Sequence, residues 1–471
     1  MGERRREQAW VWALAAIVAA GAALRFATLS TQSFWLDEAV THQLVTKPFA
    51  AMLRAIPHSE STPPLYYVLA WVWVRIFGSG EAGLRSLSAL IGTAAIVVLA
   101  LVARRLAGNR AALAAAALAA TNPLLIWYSQ EARAYILLVA LCALSLWFLL
   151  REDWRGFALA SAVALATHYF AVFIVVPEVC WVLWRHVRAG TGAQRRAAVW
   201  ALAFIGVVGA ALLPLAIKQA GGNRAAFITA TSLGTRLVQV PKQFLIGYSA
   251  PNQTVLTVLA VIAAAGLMLG LRRRDRGMLW LALIAVGVPV LLVAFGVDYV
   301  LTRNLIAAMV PLVALAAVAA TRVRAGAVLI AALCAIGVVT FAGVEGDALY
   351  QRDDWRGVAQ ALGPATHGTR VVVMNPSDGV PALAIYARAS LQHLTPGKPF
   401  LTREIDIVNL EHHPPPPRAM QLDGFAPCGP PVQTPEYVVL RFCSSILQNV
   451  SYASYESLSL TGRPPSILIW R

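Results

Sequence analysis

The chain of 471 residues is 58% hydrophobic and only 13% charged, with a mean hydropathy of +0.64, which excludes a soluble globular protein of this length and points to a polytopic membrane protein. Its formal charge of +16 would suit nucleic acid in a soluble protein. Here the arginines gather in short loops between apolar stretches, which is a topology signal and argues against a nucleic-acid partner.

Apolar stretches long enough to cross roughly 30 Å of hydrocarbon as helices recur from Trp10 to about Gly343. Spans are expected near 9–29, 86–103, 111–127, 135–150, 157–170, 171–184, 197–217, 254–271, 278–296, 304–320 and 326–343, about eleven in all. Basic residues at Arg4-Arg5-Arg6, Arg104-Arg105 with Arg110, Arg151 with Arg155, Arg185 to Arg196, Arg272-Arg273-Arg274, and Arg322 with Arg324 mark the cytoplasmic ends. The N-terminus is then inside and the C-terminus outside. Basic residues precede the first span as in a signal peptide, but Ala19 to Ala23 lie within the apolar run, so an uncleaved helix is expected. Leu65 to Phe77 is apolar but short and contains Arg75; a further span there would change the parity locally.

Two long segments fall on the external side, Ser30 to about Arg85 and Lys218 to Gln253. Phe49, Met52, Leu53 and Ile56 place an apolar stripe on a short helix of the kind that lies at a membrane interface. Trp71, Trp73, Trp127, Trp181 and Trp184 fall near span ends and read as interfacial belts. From about Val344 the composition changes. Asp353 to Leu362 and Pro381 to Ala389 read as helices, and Arg370 to Met374, Tyr437 to Phe442 and Ile467 to Trp470 as strands, with a loop at Pro414 to Pro417. The expected fold is mainly α, a polytopic transmembrane module over residues 1–343 followed by a small external α/β domain over 344–471. Cys142, Cys180 and Cys334 sit inside spans as small apolar residues. Cys428 and Cys443 lie in the external domain, an oxidising compartment, where a bridge is expected.

Just after the first span comes Phe34-Trp35-Leu36-Asp37-Glu38. It is followed in order by Thr62-Pro63-Pro64-Leu65-Tyr66-Tyr67, Ser79 to Leu90 with Arg85, Tyr128-Ser129-Gln130-Glu131-Ala132-Arg133-Ala134-Tyr135, and Thr167-His168-Tyr169. This ordered series resembles the GT-C membrane glycosyltransferases, and more narrowly their family 39 group, which includes protein O-mannosyltransferases and the aminoarabinose transferases of lipid A. The likeness covers the N-terminal half well and Tyr299 to Pro311 weakly. Asp353-Asp354-Trp355-Arg356-Gly357 resembles a phrase of bacterial members with an external tail. The resemblance implies a GT-C fold and a polyprenyl-phosphate-linked sugar as donor. It also implies that the aspartate of the first external loop, here Asp37, is the catalytic base with Glu38 as its supporting partner. Some relatives bind a divalent metal through a glutamate just before the Pro-Pro and a distant histidine. This chain has Ser61-Thr62 there, with His58 and Glu60 displaced, so a metal is left open and no cofactor is assigned. No CxxC pair or HExxH motif points to zinc.

The same chemistry follows from first principles. An external enzyme has no nucleotide sugar at hand, so its donor has to cross the membrane already activated. Attack of an acceptor hydroxyl on the anomeric carbon needs a carboxylate to take the proton and cations to hold the departing lipid phosphate. One carboxylate implies direct displacement with inversion, unlike the paired carboxylates of retaining hydrolases.

Arg133, Lys218, Arg224, Lys242 and Arg303 are the candidates for the phosphate. Arg303 is the most specific, since it opens a span beside Tyr299. Each candidate has a plainer reading. Asp37 and Glu38 form a solvated pair or a cap after Ser33, the cations are snorkelling anchors, and Glu131 pairs structurally with Arg133. His168, at the apex between two short spans, is a functional candidate or a histidine satisfied by nearby backbone. The acceptor is an envelope lipid, protein or polysaccharide. The high arginine-to-lysine ratio and abundant alanine point to a GC-rich bacterium, hence to its cytoplasmic membrane and undecaprenyl or decaprenyl phosphate. A transporter or lipid flippase is the competing class, although no self-similar halves are visible. A noncatalytic envelope-assembly protein is a third.

Overall fold

The computed structural model describes residues 2–188, 191–221, 226–365, 368–387, 389–411, 423–461 and 463–471, with the side chains of residues 2–6 and 226 outside that description. Arg224 and the Pro414 to Pro417 run fall outside the described residues. The chain divides into two compact units. One comprises Met1–Leu29 and Leu44–Gly343, the other Ser30–Gln43 and Val344–Arg471.

Helices follow one another as α1 (Gly2–Phe26), α2 (Leu36–Val45), α3 (Phe49–Ser59), α4 (Leu65–Phe77), α5 (Glu81–Thr121), α6 (Pro123–Ser129), α7 (Tyr135–Leu150), α8 (Trp154–Thr167), α9 (Val172–Val182) and α10 (Gly192–Ala220). Then come α11 (Leu233–Ile246), α12 (Gln253–Met268), α13 (Arg276–Leu292), α14 (Met309–Ala320) and α15 (Gly326–Gly346). All but α2 make up the first unit. Local chemistry sets several starts. Asp153 caps α8 by accepting from Gly156 N, and Asn122 caps α6 by accepting from Leu125 N with Pro123 at the first helical position. Ser232 caps α11 in the same way through Thr235 N.

Every one of the expected spans falls on a helix. Among the described residues, seven helical stretches are long and apolar enough to cross a membrane. One of them is α5, which non-helical backbone at Ala107 and Gly108 (φ +79°) divides into the two spans read from the sequence. The spans expected at 135–150, 157–170 and 254–271 fall on shorter helices of 16, 14 and 16 residues. Helix α4, at 13 residues, is about 20 Å long and is, like α7 and α12, an apolar helix shorter than a full straight crossing. Exposed side chains such as Trp200, Val207 and Val328 suit lipid rather than water. The chain is a multi-pass membrane protein.

The second unit is built on a mixed sheet. Its strands are β1 (Arg370–Asn375), β2 (Leu391–His393), β3 (Phe400–Leu410), β4 (Ala426–Pro427), β5 (Val432–Gln433), β6 (Tyr437–Val450) and β7 (Ser466–Trp470). Their order is β2-β7-β1-β3-β6-β4, with β5 also on β6. β1 and β3 run parallel, and the other pairs are antiparallel. Helices α16 (Trp355–Leu362) and α17 (Val380–Tyr386) are associated with one face, where Trp355, Val358, Val372, Met374 and Leu468 form a core. α18 (Tyr452–Glu456) supplies Tyr455 to the core of the other face, with Val371, Ile405 and Ile407.

The elements read from the sequence are present with shifted ends. β6 runs on to Val450, and α17 stops at Tyr386 rather than Ala389. The strands not read from the sequence are the short β2, β4 and β5 and, in the middle of the sheet, β3. Arg403, Glu404 and Asp406 break its apolar pattern, yet Glu404 and Asp406 are fully buried. Their charges are met inside the sheet, where Arg370 Nη1 lies 2.9 Å from Asp406 Oδ2 and Arg441 Nε 2.8 Å from Asp406 Oδ1. Glu404 Oε1 sits 3.4 Å and 3.3 Å from the same two nitrogens.

Cys428 and Cys443 are disulfide-bonded, with Cα atoms 5.5 Å apart across 15 residues. The bridge lies beside the β4–β6 pairing, which sets Ala426 opposite Cys443, and Cys428 N donates to Arg441 O. Replacing both by serine is expected to lower the stability of this unit by about 3 kcal/mol on the loop-closure scale, and denaturation of the two proteins without reductant measures it.

Candidate active site

Apart from Phe34 to Glu38, the motif series lies in the first unit, at helix ends that come together there. Arg25, 1% exposed near the end of α1, donates to the carbonyls of Gly21, Ala119 and Ala120 and to Ser129 Oγ. It thereby covers the orphan carbonyls at the end of α5 and ties them to α6. Gln130 Nε2 donates back to Leu24 O (3.1 Å) and Thr28 Oγ1 (2.8 Å). These bonds fix the turn from Gln130 to Ala134 against α1.

That turn presents Arg133, whose Nη1 donates to Glu60 Oε1 at 3.0 Å, with both side chains largely buried. Glu60 ends α3 in extended conformation, before Thr62-Pro63-Pro64, where proline keeps the preceding backbone out of the helical region. Tyr67 is fully buried beside the pair. Its hydroxyl bonds the Glu60 carboxylate and, at 3.1 Å, Thr62 Oγ1. The loop is held from a third helix by Gln219 of α10, whose Nε2 donates to Thr62 O (3.0 Å) and whose Oε1 accepts from Tyr169 OH (2.7 Å).

His168 lies between α8 and the helical stretch that starts at Tyr169. Its Nδ1 accepts from Phe170 N at 3.2 Å, so the proton of the neutral ring is assigned to Nε2. Its ring packs on Tyr135 and Phe170, within electrostatic reach of Arg133 and Arg303. Arg303 is half-buried, with its guanidinium 5.2 Å from the Phe227 ring. It acts, as Glu131 does, on Tyr128 and Tyr248, and the hydroxyls of those tyrosines bond each other.

The structure thus gathers Glu60, Glu131, Arg133, His168 and Arg303. Arg133 forms an ion pair with Glu60, a partner that the sequence reading did not name. Lys218 is exposed in the last turn of α10. Lys242 donates to Tyr248 O (2.9 Å) and Gln253 Oε1 (3.0 Å), closing the loop between α11 and α12; burial pushes its ammonium down. His58 is exposed while Glu60 is committed to Arg133. Among the described residues no group of three His, Cys, Asp or Glu is arranged to hold a metal ion, and no step is routed through one. Asp37 (half-buried) and Glu38 (fully buried) open α2, where the helix dipole favours negative charge. Both lie on the Ser30–Gln43 segment of the second unit.

Three groups escaped the sequence reading. Gln219 is a lone amide in an apolar run beside the more conspicuous Lys218. Glu178, 2% exposed on α9, accepts from Ser145 of α7 at 2.5 Å, and Ser145 bonds Ser161 of α8 at 2.8 Å. This polar chain joins the helices that deliver Arg133 and His168. The third is a bidentate pair, Arg236 of α11 with Asp298, at 2.7 and 2.6 Å; Arg236 also donates to Val300 O. It anchors the segment that leads into Arg303.

Removing the carboxylate of Glu60 leaves Arg133 buried without its counter-charge. Glu60→Gln should cost about 3 to 5 kcal/mol, and adding Arg133→Met should cost less than the sum of the two single changes; unfolding of the three variants tests this. Hydrogen bonds from Arg236 hold the Asp298 carboxyl below the usual carboxylate range. Its contribution is therefore complete above the unfolded value near pH 4 and is lost as pH falls through the folded value. Asp298→Asn should cost about 2 to 3 kcal/mol at pH 7, with the difference narrowing below about pH 4. A pH series of unfolding on both proteins measures it.

Residues 61–205 match the family described as dolichyl-phosphate-mannose-protein mannosyltransferase. No curated protein matches the chain. Among solved structures, the chain is similar to the oligosaccharyltransferase of Archaeoglobus fulgidus in complex with zinc and sulfate, at 16% identity and a TM-score of 0.46 over 75% of this chain and 55% of that one. It thus spans about half the length of that protein. It is also similar to ArnT from Cupriavidus metallidurans in the apo state, at 15% identity and a TM-score of 0.42 over 81% of this chain and 85% of that one, and to the same protein bound to undecaprenyl phosphate, at 17% and 0.33 with the same coverage. On the stretch that carries Glu131, Arg133 and His168, the resemblance to GT-C glycosyltransferases of the protein-mannosyltransferase type holds.

Proposed function

We propose that the chain is an inverting glycosyltransferase that moves a sugar from a polyprenyl-phosphate donor to an acceptor hydroxyl on the external face of a bacterial cytoplasmic membrane. The N-terminus is then cytoplasmic and the sheet unit external. The observation that carries this reading is the cluster in the first unit in which Tyr135 packs on both His168 and Tyr128, Tyr128 bonds Tyr248, and the charges of Arg133 and Arg303 act on His168. Fixed donors and cations in a poorly solvated place suit a leaving phosphate, because they meet the charge that develops on it without reorganising.

The acceptor oxygen attacks the anomeric carbon as the bond from that carbon to the phosphate oxygen breaks. The proton of the acceptor passes to the Asp37 carboxylate, with Glu38 as its supporting partner, and the polyprenyl phosphate leaves as an anion. Arg303, half-exposed, is assigned to that phosphate. Arg133, neutralised by Glu60, shapes the site with Glu131 and His168, and Lys218 adds positive charge for the approach of an anionic donor. An apolar cavity of about 180 Å³, lined among others by Leu118, Phe244, Leu267, Met309, Leu312 and Leu333, suits part of an isoprenoid chain. The acceptor is an envelope lipid, protein or polysaccharide.

The purified protein in nanodiscs, given a panel of radiolabelled polyprenyl-phosphate sugars with membrane extract as acceptor, should form a new labelled species that Asp37→Asn abolishes while remaining folded. Substantial transfer by Asp37→Asn would remove Asp37 from the role of base. No transfer from any donor by folded wild type would favour the transporter class.

A further inference from the structure

We infer that the Asp353-Asp354-Trp355-Arg356-Gly357 motif and Tyr386 of the second unit are a positioning device for the segment that bears Asp37. The inference rests on the reading of Asp37 as base. Segment Ser30–Gln43 is separated from the rest of this unit by some three hundred residues of helices, yet it is built into it.

The attachment is dense. Ser33, 3% exposed, donates through Oγ to Asp353 O (2.8 Å) and accepts from Trp355 N (3.0 Å). Its hydroxyl thus joins both sides of the turn that starts α16. One residue on, Phe34 N donates to Tyr386 OH at 2.6 Å. Before it, Gln32 Oε1 accepts from Arg352 N (3.1 Å) and Arg356 Nη2 donates to Ser30 O (3.2 Å). Beyond Asp37, Ala39 is fully buried in the core formed by Trp355, Val358 and Leu383, and Leu36 packs against it. Asp37 is therefore fixed from both directions, by hydrogen bonds at Ser33 and Phe34 and by packing at Ala39.

Each position of the motif has a task in this arrangement. Asp353 offers its carbonyl to Ser33. Asp354 caps α16 by accepting from Gly357 N at 2.9 Å, which holds the turn that Ser33 reads. Trp355 supplies the backbone N–H and the buried ring. Arg356 reaches Ser30, with its guanidinium 5.8 Å from the Tyr386 ring. At Gly357 a Cβ would meet Asp354 Oδ2 at 2.1 Å and Tyr437 OH at 2.9 Å, so a larger residue would push the capping carboxylate aside. The motif is accounted for by what it grips. Misplacement of a reacting group by about 1 Å costs on the order of 10²-fold in rate, so the grip governs turnover rather than donor binding.

The test uses the full chain in nanodiscs, with Ser33→Ala and Tyr386→Phe each deleting one hydroxyl and Ser33→Thr as the conservative control. Hydrogen exchange of a peptide covering residues 30–43, thermal stability, and kcat and KM for a decaprenyl- or undecaprenyl-phosphate hexose are measured. Expected are exchange over residues 30–43 faster by roughly tenfold, kcat lower by about 10- to 100-fold, and KM and unfolding temperature held, with Ser33→Thr near wild type. Unchanged exchange in both deletions would overturn the grip without reference to activity. Faster exchange with kcat kept, while Asp37→Asn is inactive, would overturn the positioning role. Faster exchange with Asp37→Asn also active would instead bring down the reading of Asp37 as base, and this inference with it.

Discussion

A guanidinium buried among apolar helices has to bond its N–H groups locally, because neither lipid nor hydrocarbon side chains accept them. Arg25 meets that requirement with the carbonyls at the end of α5 and with Ser129. In doing so it determines where α6 and the following turn lie. Arg133 then meets it with Glu60, Gln219 secures the Glu60 loop from α10, and Arg236 with Asp298 fixes the approach to Arg303. One end of the helical unit is therefore a network of charge-assisted bonds joining helices distant in sequence. Breaking a single member leaves a buried charge behind, which costs more than the bond itself contributes.

The same physics recurs in the sheet unit. Arg370, Arg441, Glu404 and Asp406 bring charges of both signs into β1, β3 and β6. Pairing alone does not make such a cluster strongly stabilising, but it penalises any register that would separate the partners. The parallel β1–β3 pairing sets Val372 beside Asp406, and the antiparallel β3–β6 pairing sets Asp406 opposite Arg441. Slippage by one residue would strand carboxylates in an apolar core.

Much of the helical architecture was legible because the hydrophobic length of a span and the charge of its flanking loops are local properties. So was the break between spans at Tyr128 to Tyr135. The partners of the buried charges were not legible. Nothing in the residues around Arg133 points to Glu60, 73 positions away; the fold brings the two together, and Arg25 helps to set the turn that carries Arg133. Gln219 and Glu178 looked like isolated polar residues in apolar helices because their partners come from other helices. Strand β3 was hidden for the same reason, its acidic residues being buried against arginines of neighbouring strands. The membership of Ser30–Gln43 in the second unit carries no local signal, since Ser33 and Asp353 are 320 residues apart.

That separation has a consequence in time. Chain synthesis proceeds at about 5 to 20 residues per second. The hydroxyl of Ser33 thus waits roughly 16 to 64 s before the carbonyl it bonds has been made. During that interval the first loop has left the ribosome without the contacts that order it, while every later apolar helix is still being inserted. Assembly of the sheet unit therefore follows synthesis of the helices from α3 to α15, and a nascent chain can hold those helices while its acidic loop is still unordered.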